Sequence, residues 1–314
     1  MVFMLSRRNV RIKVMQQLYS LNQDKELTFK DIKSAYRHSL LNAFHLYLLN
    51  LYSIIKVCSF AVEDATNRKK KHLKSEEDLK FSDKLYTNPL VKSLATNPFL
   101  QKRLKTDRIG EGIDEDIFRK IYKEFTKEEK YVKYIMEDDT SSENLVELLL
   151  ELYRVCRRNE LFNEIMDDHY SGWPDDKSLV IGAVKKTLKV LPSQADFISE
   201  HLPDDETVTE FGETLLDKTY QSNSELDQLI KPVLVNWEAE RIAIIDLILI
   251  KMAITEMVNI KTIPPKVTLN EYVELAKMYS TDKSQEFVNG VLDRLLKDLQ
   301  EENKIIKEGR GLLD

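Results

Sequence analysis

The stretch from Ile263 to Leu299 restricts this chain most, because its punctuation admits two short helices and a tight turn between them. Pro264 and Pro265 end whatever precedes them, since proline offers no N–H and constrains the residue before it. Thr268 reads as an N-cap, and Glu271 three residues on completes a capping box. Leu269, Val273 and Ala276 follow at helical spacing. Ser280, Asp282 and Ser284 supply turn and cap chemistry for a second helix, whose apolar face is Val288, Val291, Leu292, Leu295 and Leu299. Gly290 in mid-helix costs about 1 kcal/mol relative to alanine, which close approach of another helix would explain. Periodicity alone establishes a helical hairpin.

The same helical spacing recurs along the chain, and eight glycines and eight prolines in 314 residues argue against an all-β or loop-rich protein. An all-α chain of two modest domains is expected. A hydrophobic fraction of 42% is enough for a real core. The formal charge of −6 is not that of an obvious nucleic-acid binder. Any RNA contact must come from a local basic patch or be shared with a basic partner. Cys58 and Cys156 lie far apart without metal-ligand spacing and read as reduced structural thiols of a cytoplasmic protein. The apolar run at the N-terminus is too short for a signal peptide.

The first helix is expected from Ser6 to about Leu21, with Val10, Val14, Leu18 and Leu21 as its core stripe. Arg8, Arg11, Met15 and Tyr19 lie on a neighbouring face. Arg7, Arg8, Arg11 and Lys13 place four cations where no acid precedes Asp24. Cations near a helix N-terminus oppose the macrodipole by roughly 0.3–1 kcal/mol each. A solvated basic face and a phosphate-binding face with Tyr19 as a stacking platform both fit that cluster. A second helix starts near Thr28 and continues to about Lys70; His38 and His45 on it have no third ligand at metal spacing. The basic run Arg68–Lys74 reads as a solvated helix end, with an auxiliary RNA contact as its alternative.

From Ser75 to Asp116 the pattern weakens, with Asn88-Pro89 and Asn97-Pro98 marking turns in an irregular or linker stretch. Gly110 and Gly112 lack the strand and third glycine of a nucleotide loop. Beyond Asp116, the segment Glu143–Leu188 looks like a distant copy of Glu206–Met252. Asn159 and Asn223, and Trp173 and Trp237, pair at one offset, giving two three-helix units. Ile242–Val258 is apolar, but Asp246, Lys251 and Glu256 interrupt it, so a buried central helix is expected rather than a membrane span.

The residue string of the C-terminal hairpin resembles the signature of the NusB family of transcription antitermination factors. The match is carried by Pro264, Lys266, Val267, Asn270, Glu271, the run Glu274–Lys277 and the run Phe287–Asp293. Asn236, Trp237, Arg241, Ile245, Asp246, Ile250, Ala253 and Glu256 fill or nearly fill the slots of the preceding family helix, with Ile250 where leucine is usual. Arg7, Arg8, Arg11, Gln17, Leu18 and Tyr19 match its Arg-rich first helix. The resemblance covers about residues 5–50 and 206–300. Typical members are about half this length, although longer forms with an internal insertion occur.

The resemblance implies a pair of packed helical bundles, with an additional helical domain inserted between the second and third core helices. Residues 1–50 would form the first part of the core, 51–205 the insertion, 206–300 the second part of the core and 301–314 a polar tail. It also implies binding of the boxA element of ribosomal RNA leader transcripts together with a small-subunit ribosomal protein, NusE, within the RNA polymerase antitermination complex. By the same resemblance Arg7, Arg8, Arg11, Tyr19 and Phe287 would face RNA, with Lys266 and Lys283 adding phosphate contacts. Phe287, about 100° round the helix from Val288, is expected to be partly exposed, with a place at the core rim as its alternative, and Lys283 stands where many members carry an acid. Glu240 and Asp246 lie in the helix that the family turns towards the ribosomal partner, though both also read as plain solvated carboxylates. Some members self-associate, so a homodimer is compatible. No cofactor, metal site or membrane contact is implied.

No P-loop, G-x-S-x-G, H-E-x-x-H or paired Cys/His nucleophile is present, so binding rather than catalysis is expected. Some RNA cytosine methyltransferases carry a domain of this fold, but this chain lacks the glycine-rich methyltransferase domain they require. A helical protein-interaction module without RNA binding is the competing expectation.

Overall fold

Helix starts in this protein are set by short side chains that satisfy the first free N–H groups. Ser6 accepts from the Asn9 amide while Asn9 reaches back to the Ser6 amide, a reciprocal box that opens α1, Arg7–Gln23. Helix α2, Phe29–Lys69, runs unbroken for 41 residues. The computed structural model describes residues 5–137, 141–236 and 242–312, and every regular element among them is helical.

Where an irregular linker was expected, the chain forms α3 (Glu76–Lys80), α4 (Lys84–Thr87), α5 (Pro89–Ala95) and α6 (Pro98–Thr106). The two Asn-Pro pairs are helix starts rather than bare turns. Asn88 caps the Leu90 and Val91 amides, Asn97 caps that of Leu100, and each proline takes the first helical position, where no N–H is needed. Then come α7 (Glu115–Phe125), α8 (Glu129–Met136), α9 (Ser142–Arg158), α10 (Glu160–His169) and α11 (Trp173–Lys189). A π-helical turn, Glu206–Glu213, leads into α12 (Thr214–Gln221) and α13 (Asn223–Ile230). The chain ends in α14 (Ile244–Asn259), α15 (Pro265–Tyr279), α16 (Ser284–Glu301) and a short tail.

These elements divide into two compact units, Leu41–Leu202 and Leu5–Leu40 with Pro203–Asp314. Helix α2 passes from one into the other at Leu40, earlier than the expected limit at residue 50. It is the one helix among the described residues long and apolar enough to cross a membrane, yet 72% of its most apolar window is buried inside the protein.

The Leu41–Leu202 unit is built around an aromatic core in which Tyr47, Phe118, Phe125, Tyr153, Phe162 and Trp173 are fully buried. The buried Asn50 amide there is paired on both sides, as a buried dipole requires. Asn50 accepts from the Tyr153 hydroxyl at 2.9 Å and donates to the Leu46 carbonyl at 2.7 Å. Gly110 has a φ of +85°, and a Cβ there would strike the Tyr52 ring, so this glycine serves a turn. In the basic run, Arg68 and Lys71 both hold the Asp78 carboxylate. Burial pushes the Cys156 thiol up to about 12 and the Cys58 thiol up as well, so both are inert. The first of the two similar segments forms α9, α10 and α11, and Asn159 caps α10. The second forms the π-turn with α12, then α13 and the start of α14, and Asn223 is the first residue of α13. Trp237 lies outside the described residues.

In the other unit α14 carries the core: Ile248, Leu249, Ile250, Met252, Ala253, Ile254 and Met257 are all buried. The π-turn packs so closely on α1 and α2 that a Cβ at Gly212 would lie 1.8 Å from the Tyr36 hydroxyl and 2.6 Å from Val10. Gly290 behaves in the opposite way. It is exposed and a Cβ there would meet nothing within 4 Å, so the expected close helix approach is absent. Helix α15 also starts earlier than expected. Pro265 occupies its first position, and Thr268 is a fully buried residue of the first turn rather than its cap.

Candidate nucleic-acid interface

With no acid of its own in its first turn, α1 draws carboxylates from elsewhere in its unit. Arg7 Nη2 lies 3.0 Å from Glu206 on the π-turn, with both groups exposed. Arg8 makes a bidentate contact with Glu271 on α15, Nε to Oε2 at 2.9 Å and Nη2 to Oε1 at 2.7 Å. Hydrogen bonding to Glu271 raises the Arg8 pKa, and the same bond holds the Glu271 carboxyl below its usual range.

Arg11 is not on the surface. Its side chain is 3% exposed and its fork closes on Glu256, itself fully buried on α14, with Nε–Oε2 at 2.8 Å and Nη2–Oε1 at 2.6 Å. Glu256 also accepts from the Thr268 hydroxyl at 2.9 Å and the Tyr272 hydroxyl at 3.0 Å, so four donors satisfy one carboxylate. Burial opposes the Arg11 charge, but the hydrogen bonds and charge of Glu256 outweigh it and the pKa is raised. The guanidinium also lies 5.1 Å from the Phe211 ring centroid and 5.8 Å from that of Tyr272, within cation–π range. Glu271 reaches Arg11 Nη1 at 3.4 Å and so sits beside both arginines.

The expected basic face of α1 is therefore split. Arg11 and Met15 are buried in its middle, while Arg8 and Tyr19 remain exposed towards its two ends, Tyr19 by 38%. Helix α1 packs on α14 and on the π-turn, which widens its buried arc beyond the Val10, Val14 and Leu18 stripe. Lys266 in the first turn of α15 and Lys283 at the N-cap of α16 are exposed and carry no ion pair among the described residues. Phe287 is buried, at 7% exposure, against the expectation of partial exposure. Helix α16 packs on both α14 and α15, and an arc covered by two neighbours extends past the 100° that separates Phe287 from Val288.

Asp246, in the first turn of α14, is 3% exposed rather than a solvated carboxylate. Its Oδ2 accepts from the Ser284 hydroxyl at 2.7 Å and so fixes the start of α16. Ser280 and Thr281 complete that turn through the same hydroxyl. Glu240, Trp237 and Arg241 lie outside the described residues. The carboxylates Glu206, Glu256 and Glu271 were not anticipated as partners of the basic helix. Glu256 gave a signal, since an acid inside an apolar helix needs a buried cation or a set of donors.

Among the described residues no cluster of His, Cys, Asp or Glu could hold a metal ion. The arrangement offers an exposed guanidinium, an exposed phenol ring and two exposed ammonium groups within one unit, which is chemistry for binding a polyanion with unstacked bases.

Comparison with known proteins gives this arrangement a family. The sequence model described as the NusB family matches residues 184–297. Among curated proteins, a "Transcription antitermination protein NusB" of Salinibacter ruber is 43% identical over 112 residues, covering 36% of this chain and 70% of that protein. One of Chloroherpeton thalassium is 43% identical over 100 residues, covering 32% of this chain and 47% of that protein. One of Bacillus subtilis is 38% identical over 102 residues, covering 32% of this chain and 78% of that protein. No solved structure matches the chain. The identities run through most of the length of two of these relatives, and on that ground the chain belongs to the NusB family.

Proposed function

We propose that this chain is a transcription antitermination factor that acts by binding, not catalysis. Its ligand is a boxA-like single-stranded RNA of ribosomal RNA leader transcripts, bound together with the ribosomal protein NusE in an RNA polymerase antitermination complex. The observation that carries the RNA contact is Arg8. Its guanidinium is exposed and its fork has the geometry to take a bidentate oxyanion, on the same helix as the exposed Tyr19. Phosphate presents the same fork to arginine as carboxylate does, and an exposed ring is a platform for an unstacked base. Lys266 and Lys283 would add phosphate contacts, while Arg11 and Phe287 support the surface from beneath. Family relatives named as antitermination proteins support the reading, and a cytoplasmic place beside nascent transcripts goes with it. The Leu41–Leu202 unit serves as an inserted scaffold or partner-docking element.

The test is a gel shift with single-stranded boxA RNA at two salt concentrations, with and without NusE. Wild type should bind in a salt-sensitive way, with a slope of about −0.7 per phosphate contacted. The Arg8→Ala/Tyr19→Ala variant should bind at least about tenfold more weakly, given roughly 1–3 kcal/mol per stacked base. Equal binding by the two proteins would refute this RNA face. A second reading, a helical interaction module without RNA binding, is favoured by one observation: Arg7, Arg8 and Arg11 all have carboxylate partners. An absence of any shift in every lane would select it.

A further inference from the structure

We propose that Glu271 sets the affinity of this surface by competing with RNA phosphate for Arg8. The proposal rests on the RNA-binding reading above and adds a residue that works against it. Both carboxylate oxygens of Glu271 are engaged by Arg8, through Nε and Nη2 at 2.9 and 2.7 Å. That is the edge of the guanidinium that a phosphate would use for bidentate recognition. Hydrogen bonding to Arg8 keeps the Glu271 carboxyl below its ordinary range, so it is an anion at neutral pH. The Glu271 side chain is 22% exposed and that of Arg8 44%, so the pair sits where an incoming ligand reaches it.

An arriving phosphate meets one of two situations. Either Glu271 leaves the fork, at the cost of the ion pair, or it stays and repels the phosphate. In both, the carboxylate weakens binding. Removing its charge does not disturb the deeper pair, because Arg11 is held by Glu256 through Nε and Nη2 and touches Glu271 only through Nη1 at 3.4 Å. Glu274, one turn on, also acts on Arg8 through its charge, but no hydrogen bond joins it to the guanidinium among the described residues. This neighbour separates fork occupancy from general acidity.

The experiment is fluorescence anisotropy of a labelled single-stranded boxA RNA with full-length wild type, Glu271→Gln, Glu274→Gln, Arg8→Gln and the Arg8→Gln/Glu271→Gln double variant. Thermal melts confirm folding of each. Glu271→Gln should bind about two- to fivefold more tightly, the range expected from a partly exposed ion pair. Glu274→Gln should gain less, and Glu271→Gln should gain little when Arg8 is already glutamine. Unchanged or weaker binding by a folded Glu271→Gln would overturn the proposal and leave the RNA-binding reading standing, since Glu271 would then position Arg8 rather than compete for it. An equal gain from Glu274→Gln would also overturn it, because net charge would suffice. No binding by wild type would instead remove the RNA-binding reading, and this proposal with it.

Discussion

The buried pair between Arg11 and Glu256 makes a sharp prediction about what each partner does for the fold. Replacing Arg11 by methionine removes two charge-assisted hydrogen bonds and leaves a fully buried carboxylate with the Thr268 and Tyr272 hydroxyls alone. Breaking one side of a buried ion pair costs about 3–5 kcal/mol, because the remaining charge stays buried without its counter-ion. Glu256→Met should also destabilise, though by less, because the guanidinium keeps Glu271 at 3.4 Å and the Phe211 ring. The double variant should cost much less than the two single changes added together. Thr268 already lies 3.4 Å from the Pro264 carbonyl and has a second acceptor, so mainly the Tyr272 hydroxyl is left unpaired, at about 1–3 kcal/mol. A coupling of about 2–3 kcal/mol or more is expected, at the upper end for groups in direct contact. Urea denaturation followed by circular dichroism gives the energies, and hydrogen exchange of the α14 amides assigns them to the unit that holds the pair. Single variants costing under about 1 kcal/mol, or a double variant equal to the sum, would refute the account of Arg11 as a buried structural cation.

Two glycines should respond in opposite senses. Gly290→Ala should stabilise by about 0.5–1 kcal/mol in a thermal or urea melt, because its Cβ enters open space. Gly212→Ala should destabilise clearly, since its Cβ would overlap the Tyr36 hydroxyl and press on Val10; a neutral result would show that the π-turn is not held this tightly. The tail should respond to alkali. Burial lowers the Lys307 pKa to about 8 while its ammonium donates to the Ile260 carbonyl. A lysine whose folded pKa lies below its unfolded value of about 10.4 binds fewer protons folded than unfolded between those limits. Docking of the tail should therefore strengthen as pH rises from about 8 towards 10.5, read as slower proteolysis after Lys304, and Lys307→Met should abolish the dependence.

Much of the architecture was legible because helix caps and apolar spacing are local signals. Ser6 marks the start of α1, the helical pattern of α2 runs almost to its end at Lys69, and the charges inside the apolar run of α14 argue against a membrane span. Helix boundaries are less legible where one local signal fits both a start and a stop. Thr268 has the local chemistry of an N-cap, but a preceding Pro-Pro pair can start a helix as well as stop one. Asn88 and Asn97 have the chemistry of turn residues, but each caps a helix whose first position is the proline that follows it. The interface was less legible, because burial of a side chain at the edge of an apolar stripe depends on how many helices pack there. Arg11, Met15 and Phe287 have the spacing of a helix rim and lie under neighbours instead. The pairing of Arg8 with Glu271 and of Arg11 with Glu256 joins residues 263 and 245 positions apart. Only the acid within the apolar helix α14 hinted that such a partner existed.

That separation also has a meaning in time. A ribosome adds roughly 5–20 residues per second in the range known for translation. The 245 positions between Arg11 and Glu256 thus correspond to a wait of about 10–50 seconds. Through that interval the whole Leu41–Leu202 segment emerges, while the first helix has no α14 to close upon. A newly made chain therefore leaves the cations of its first helix without these partners in the crowded, RNA-rich neighbourhood of the ribosome, and Arg11 can be withdrawn only after α14 has emerged.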